Sequence, residues 1–333
     1  MRMRTLGAAG LPVSEIGLGL AAIGRPGYIT LGRDRDLPGD RSVESMRARA
    51  HELLDAAYAG GIRYFDAARS YGLAEDFLAT WLDRRGFGPD DVTVGSKWGY
   101  RYTAGWQIGA EVNEVKDHSA AHLDSQLRET RALLGDRLGL YQIHSATFES
   151  GVLDDRTVLD ELARLRDSGL AIGLTVSGPK QADVIRRAIE IDSGGARLFA
   201  SVQATWNLLE QSAGEALAEA KQAGLGVIVK EALANGRLVA PMSGPGAGGR
   251  ANGTPLADIA RTLGRSPDAV AIAAALAQPW SDVVLSGAVT PAQMASNLAA
   301  AEVVLEPGDL RSLSALAEPP ERYWATRAAL AWT

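Results

Sequence analysis

From residue 12 onward, short runs of β-branched and apolar residues alternate with longer Ala/Leu/Arg/Glu-rich segments whose apolar positions recur at helical spacing. The short runs at 15–21, 62–66, 91–97, 138–144, 171–177, 198–204, 225–230 and 282–287 predict eight strands. Between them, helices are expected near 43–60, 74–84, 117–134, 156–168, 179–191, 210–223, 255–278 (broken) and 291–301. Strand–helix alternation of this kind signals a parallel sheet.

The element ends carry matching punctuation. Gly60-Gly61, Gly169 and Gly224 each follow a helical segment, as left-handed glycines do. Ser266-Pro267 and Thr290-Pro291 read as an N-cap followed by proline in the first helical position. Eight such units favour a closed (β/α)8 TIM barrel over an open dinucleotide-binding sheet, because the glycines at Gly17 and Gly19 are followed by a long polar loop rather than a helix. The expected architecture is a single α/β domain over residues 1–333, with a short N-terminal β-hairpin as a cap and long loops on the C-terminal face of the barrel. The Gly/Pro/Ala-rich stretch at 240–255 reads as a lid or a spacer.

Composition narrows the chemistry. The net charge is −6 and no Lys/Arg cluster offsets it, which argues against a nucleic-acid partner. With no cysteine, disulfides, thiolate metal sites and cysteine nucleophiles are excluded, and four histidines remain as soft ligands. The N-terminal stretch lacks the apolar core of a signal peptide, and no run approaches the roughly 18 to 20 apolar residues of a membrane span, so a cytoplasmic location is expected.

In a barrel the C-terminal strand ends form the functional face, so polar residues that interrupt an apolar run there are the first candidates. Three successive strands deliver them: Asp66 and Tyr71 from IRYFDAARSY, Lys97 from VTVGSKWGY, and His144 from GLYQIHSA. An acid, a phenol, an ammonium and an imidazole suit carbonyl chemistry. A phenol with a reference pKa of about 10 is a poor acid near neutrality, and a neighbouring ammonium lowers that value. Lys97 is therefore expected to tune Tyr71, Asp66 to hold the ammonium, and His144 to donate to a substrate oxygen.

With those residues in view, the sequence resembles the aldo-keto reductase family over essentially its whole length: FDAARSYG, VGSKWG and LYQIHSA are similar to the family's aspartate–tyrosine, lysine and histidine segments. The resemblance implies catalysis by Asp66, Tyr71, Lys97 and His144, with metal-free hydride transfer between NADP(H), or alternatively NAD(H), and a carbonyl or alcohol. It implies cofactor contacts at Gly19, Asp66, Ser177, Gln203, Lys230, Glu231, Leu233, Asn235, Arg237, Gly287, Gln293 and Asn297. Trp206 stands where the family usually has an aromatic. Thr175-Val176 replaces the Ser-Asn that many members use for the carboxamide, and Lys230-Glu231 replaces the aromatic and serine that flank the nicotinamide. The basic residues that commonly grip a 2′-phosphate are absent from the last βα segment, leaving Lys230, Arg237 and Arg250 as substitutes.

Substrate selection is expected from Trp98, Tyr71, His144 and Trp324, with Tyr100, Trp106, Tyr323 and Trp332 as further flat surfaces. HSAT and VKEALANGRL resemble the aldose-dehydrogenase-like branch, which points to a small carbonyl or sugar substrate. Three functions are consistent with these residues: a carbonyl reductase, an NAD-preferring sugar dehydrogenase, and a cofactor-sensing regulatory subunit with little turnover. Whether the protein is a monomer or a homo-oligomer is open at this level.

Overall fold

A computed structural model of the protein describes residues 1–239 and 254–333. Eight parallel strands close into a barrel. They are β1 (Ile16–Gly19), β2 (Tyr64–Asp66), β3 (Thr93–Trp98), β4 (Leu138–Ala146), β5 (Ala171–Val176), β6 (Ser201–Thr205), β7 (Gly226–Lys230) and β8 (Val283–Ser286). Each pairs with its sequence neighbours, and β8 returns to β1 through Val284–Ile16, Leu285–Gly17 and Ser286–Leu18. All eight expected strands are present, with 240–253 and therefore most of the expected lid outside the described residues.

The strands are buried on both faces because helices cover the outside while side chains fill the inside. β3 and β6 are buried at every position. The outer layer packs helices Val43–Ala59, Ala74–Arg85, Ala120–Leu134, Arg156–Asp167, Gln181–Ile189, Gly214–Gln222, Pro267–Leu276 and Pro291–Leu298 against the sheet. Their starts follow the expected capping chemistry: Ser266 and Thr290 accept from the backbone N–H three residues on, each with proline at the first helical position. Gly169 and Gly224 take left-handed φ values of 97° and 89°; in the Gly60-Gly61 pair only Gly61, at 94°, does so.

The connections add detail to this outline. The broken segment at 255–278 is two helices, Pro255–Leu263 and Pro267–Leu276, parted where Gly264 turns left-handed. The helix expected from 210 starts at Gly214, because the Asn207 side chain accepts from the Leu209 and Glu210 N–H groups and holds a turn there. The loop after Lys97 folds into a hairpin, Tyr100–Tyr102 with Glu114–Lys116, and the tail forms helices Pro307–Ser314 and Pro320–Ala328.

The expected N-terminal hairpin pairs Met3–Leu6 with Leu11–Ser14. It plugs the bottom of the barrel, where Leu6 and Val13 join Tyr64, Leu140, Ile228 and Val283 in one buried cluster. The plug fits because Gly226 has no side chain: a Cβ there would lie 2.5 Å from Leu6 Cδ1 and 2.8 Å from the Gly7 backbone nitrogen. Gly226→Ala is expected to push the hairpin out and cost about 1–3 kcal/mol of stability, read from the urea midpoint. An unchanged midpoint would mean that the hairpin contributes nothing to sealing the barrel.

Candidate active site

At the opposite end, the inward positions turn polar. Asp66 ends β2, and its carboxylate is almost completely buried. Its Oδ2 accepts from Lys97 Nζ on β3, and Lys97 also donates to the Ala67 carbonyl at 2.9 Å. Oδ1 accepts from Gln203 Nε2 on β6 at 3.0 Å, Gln142 Nε2 on β4 at 3.2 Å and Tyr64 Oη at 3.2 Å. A buried carboxylate with this many donors has its oxygens satisfied without bulk water.

Tyr71 stands on the loop after β2, with the Lys97 ammonium 4.8 Å from its ring centre. Its hydroxyl is 3.4 Å from His144 Nε2, and the Ser70 hydroxyl is 3.3 Å from His144 Nδ1. The next residue, Ser145, adopts φ 54°, and its N–H donates to Thr175 Oγ1 at 2.7 Å, while His118 Nε2 bonds the His144 carbonyl at 2.9 Å. The pairing of β4 with β5 shifts register here, so His144 is presented by a strained, doubly anchored segment. Beneath the loop, buried Glu75 accepts from Arg69, Ser96 and Thr130, which ties this loop to β3 and to helix Ala120–Leu134.

The electrostatics correct one expectation. Burial, then the Asp66 charge, pushes the Tyr71 pKa well up, opposed by Arg25, so the net shift is the reverse of the expected acidification. The Lys97 charge is taken by Asp66, and burial still moves its own pKa down. Burial, then Lys97, Lys230 and Arg25, drives the His144 pKa well down, so the imidazole is neutral. At the end of β7, burial lowers Lys230 to about 8. Burial would raise Glu231, but Arg327 and Lys230 hold it at about 2.

A cavity of about 1230 Å³ opens over these groups. Its wall includes Gly19, Asp66, Tyr71, His144, Thr175, Gln203, Lys230, Glu231, Leu233, Asn235, Arg237, Gly287, Gln293 and Asn297. Several anticipated residues are not in that wall. Trp98 follows Lys97 in β3, so the two-residue alternation of a strand turns it away from the cavity, fully buried with its ring edge-on to His118 at 5.6 Å. Trp324 packs with Leu208, Leu238 and Leu313 under the C-terminal helix. Trp206 stacks edge-on to Trp280 at 5.7 Å, and Ser177 lies beyond the end of β5, outside the wall. Arg250 lies outside the described residues.

Other wall residues escaped the sequence reading. Arg25 is buried, donates to Glu114 at 2.5 Å and to the Ser70 carbonyl at 3.1 Å, and lies 5.3 Å from the Tyr71 ring and 4.7 Å from Trp332. Arg327 reaches from helix Pro320–Ala328 to grip Glu231 at 2.9 Å, and Tyr28 and Thr333 exchange backbone hydrogen bonds across the opening. At the far end the Asn297 amide lies 2.8 Å from Ser286 Oγ and 2.9 Å from Asp268 Oδ2. Arg237 is engaged by Glu318 at 2.5 Å. Arg25 and Asp268 sit in segments with no strand-end signature; only a buried charge, invisible in one sequence, marks them.

Comparison with known proteins places this geometry. Pyridoxal 4-dehydrogenase from Microbacterium luteolum is 27% identical over 272 residues, covering 72% of this chain and 73% of that one. The uncharacterized oxidoreductase YrpG of Bacillus subtilis is 25% identical over 355 aligned positions, covering 97% and 99%. The holo form of aldo-keto reductase AKR11C1 from Bacillus halodurans superposes with a TM-score of 0.71 at 22% identity, covering 96% of this chain and 97% of that one, and shares the fold. The family model for the aldo/keto reductases matches residues 15–318, and with the closed barrel beneath it this chain belongs to the aldo/keto reductase family of oxidoreductases.

Proposed function

We propose that the protein transfers hydride between a nicotinamide dinucleotide and a small carbonyl or alcohol, with the substrate oxygen seated between Tyr71 Oη and His144 Nε2. The observation that carries this reading is the 3.4 Å approach of a phenol to a neutral imidazole at the cavity floor, over a buried Lys97–Asp66 pair. A bound dihydronicotinamide supplies the hydride.

The chain's own groups do the rest. In the tautomer in which Nδ1 accepts from Ser70, the His144 proton stands on Nε2, where it hydrogen-bonds the substrate oxygen. Tyr71, its pKa pushed up by burial, is protonated at neutral pH and gives that proton to the same oxygen. Lys97, 4.8 Å from the ring, stabilises the phenolate left behind, while Asp66 keeps the ammonium in place. The residues fit a dinucleotide: the cavity is larger than the roughly 300–1,000 Å³ of a typical small-molecule site, and Gly19, Gln203, Leu233, Asn235, Gly287, Gln293 and Asn297 are the residues that would hold it. Arg25, Tyr28 and Trp332 bound the side left for the substrate.

A second reading concerns the cofactor. Asp268 stands 2.9 Å from the Asn297 amide at the far end, and a carboxylate there opposes a 2′-phosphate, which favours NAD(H) over NADP(H). The resemblance to pyridoxal 4-dehydrogenase makes pyridoxal a sensible member of a carbonyl and lactol panel.

Tyr71→Phe is expected to cut kcat by roughly 10²–10⁴-fold while leaving cofactor affinity within about threefold; full turnover in that variant would remove Tyr71 from the chemistry. Because His144 is held neutral, kcat/KM for reduction is expected to show no loss with a midpoint near the ordinary imidazole value of about 6.5 on acidification. Such a midpoint in the wild type, abolished in His144→Gln, would overturn the neutral-donor role.

A further inference from the structure

The cations at the cavity floor are not equally matched. Lys97 is paired with Asp66, Arg25 with Glu114, and Arg327 with Glu231. Lys230 donates to the Thr205 hydroxyl at 3.2 Å, and among the described residues it forms no ion pair within 4.0 Å. Its nearest acidic neighbour on the chain, Glu231, is held by Arg327 through two nitrogens. Lys230 also faces the cavity, and its charge ranks directly after that of Lys97 among those acting on His144.

That location bears on the two redox states of the cofactor. Hydride transfer requires the nicotinamide C4 within about 3–3.5 Å of the carbonyl carbon. In the function proposed above, that carbon is one bond from the oxygen held by Tyr71 and His144, so the ring would lie in the cavity that Lys230 also lines and where its charge reaches His144. A dihydronicotinamide ring is neutral, whereas the oxidised ring carries a full positive charge. Two like charges in a partly dehydrated cavity repel.

We propose that Lys230 makes the cavity discriminate between the redox states of its own cofactor, binding the reduced dinucleotide tightly and expelling the oxidised one. The inference rests on the hydride-transfer reading. The charged groups around the ammonium are Glu231 at the same strand end, Arg327 from the C-terminal helix, Lys97 on β3 and Asp66 on β2. His144 on β4 is neutral and adds no charge. Burial, outweighing Glu231, brings Lys230 down to about 8. The repulsion is therefore present below that pH, where Lys230 carries its proton, and fades as pH rises through it.

Calorimetric titration with NADH, NAD+, NADPH and NADP+ tests this in the wild type, Lys230→Met and Lys230→Arg, at pH 6.5 and pH 9.5, with no turnover needed. In the wild type at the lower pH, the reduced form of whichever dinucleotide binds better should be at least tenfold tighter, about 1.4 kcal/mol. The ratio should shrink at the higher pH and in Lys230→Met, and persist in Lys230→Arg. A wild-type ratio near one, or a ratio that Lys230→Met leaves intact, would overturn the proposal. If the methionine variant does not fold, the wild-type pH series and the arginine variant still decide. Failure of all four dinucleotides to bind would instead undo the hydride-transfer reading itself.

Discussion

The hydrogen-bonded ion pair of Asp66 and Lys97 is the constraint around which the barrel mouth is arranged. A carboxylate and an ammonium taken out of water carry a large desolvation penalty, and the pair persists only where every remaining lone pair and proton finds a partner. Here those partners come from different staves of the barrel: Tyr64 from β2, Gln142 from β4, Gln203 from β6 and the Ala67 carbonyl just past β2. Satisfying one buried carboxylate thus fixes the relative positions of four strands, and Tyr71 and His144 inherit that order. Removing one partner of such a pair typically costs about 3–5 kcal/mol, so the residues that order the barrel mouth also hold its stability.

Around this centre the protein separates its charges into local pairs. Arg25 with Glu114 and Arg327 with Glu231 draw the first loop, the lysine-side hairpin and the C-terminal helix toward the opening. Arg25 also stacks on Tyr28 and Trp332, so ion pairing and aromatic contact close the same side. Glu231, Ala234 and Asn235 all take left-handed backbone conformations after β7. Strain concentrated between a strand end and a cavity wall is typical of segments shaped for a ligand rather than for packing.

The alternation of strand and helix made the barrel readable from sequence, because a buried strand end that turns polar is conspicuous: Asp66, Lys97 and His144 each announce themselves in this way. What sequence did not reveal depended on three-dimensional neighbours. The pattern suggests a Tyr71 acidified by Lys97, whereas burial outweighs the neighbouring charges and raises it. Trp98 reads as a substrate contact, whereas its place directly after an inward lysine turns it away from the cavity and against His118. Arg25 and Asp268 lie in segments whose local pattern is unremarkable, and their significance comes from partners about 90 and 30 positions away along the chain.

The inward lysine and outward tryptophan of β3 have a consequence for how this chain can vary in length. Adding or removing one residue between Thr93 and Lys97 would exchange the two faces, seating an indole against Asp66 and an ammonium in the buried position where Trp98 now meets His118. No adjustment elsewhere restores both at once. Insertions and deletions are therefore confined to the connections beyond the strand ends, where the loops that shape the opening lie, and the opening can diverge by changes in length while the groups at its floor can change only by substitution.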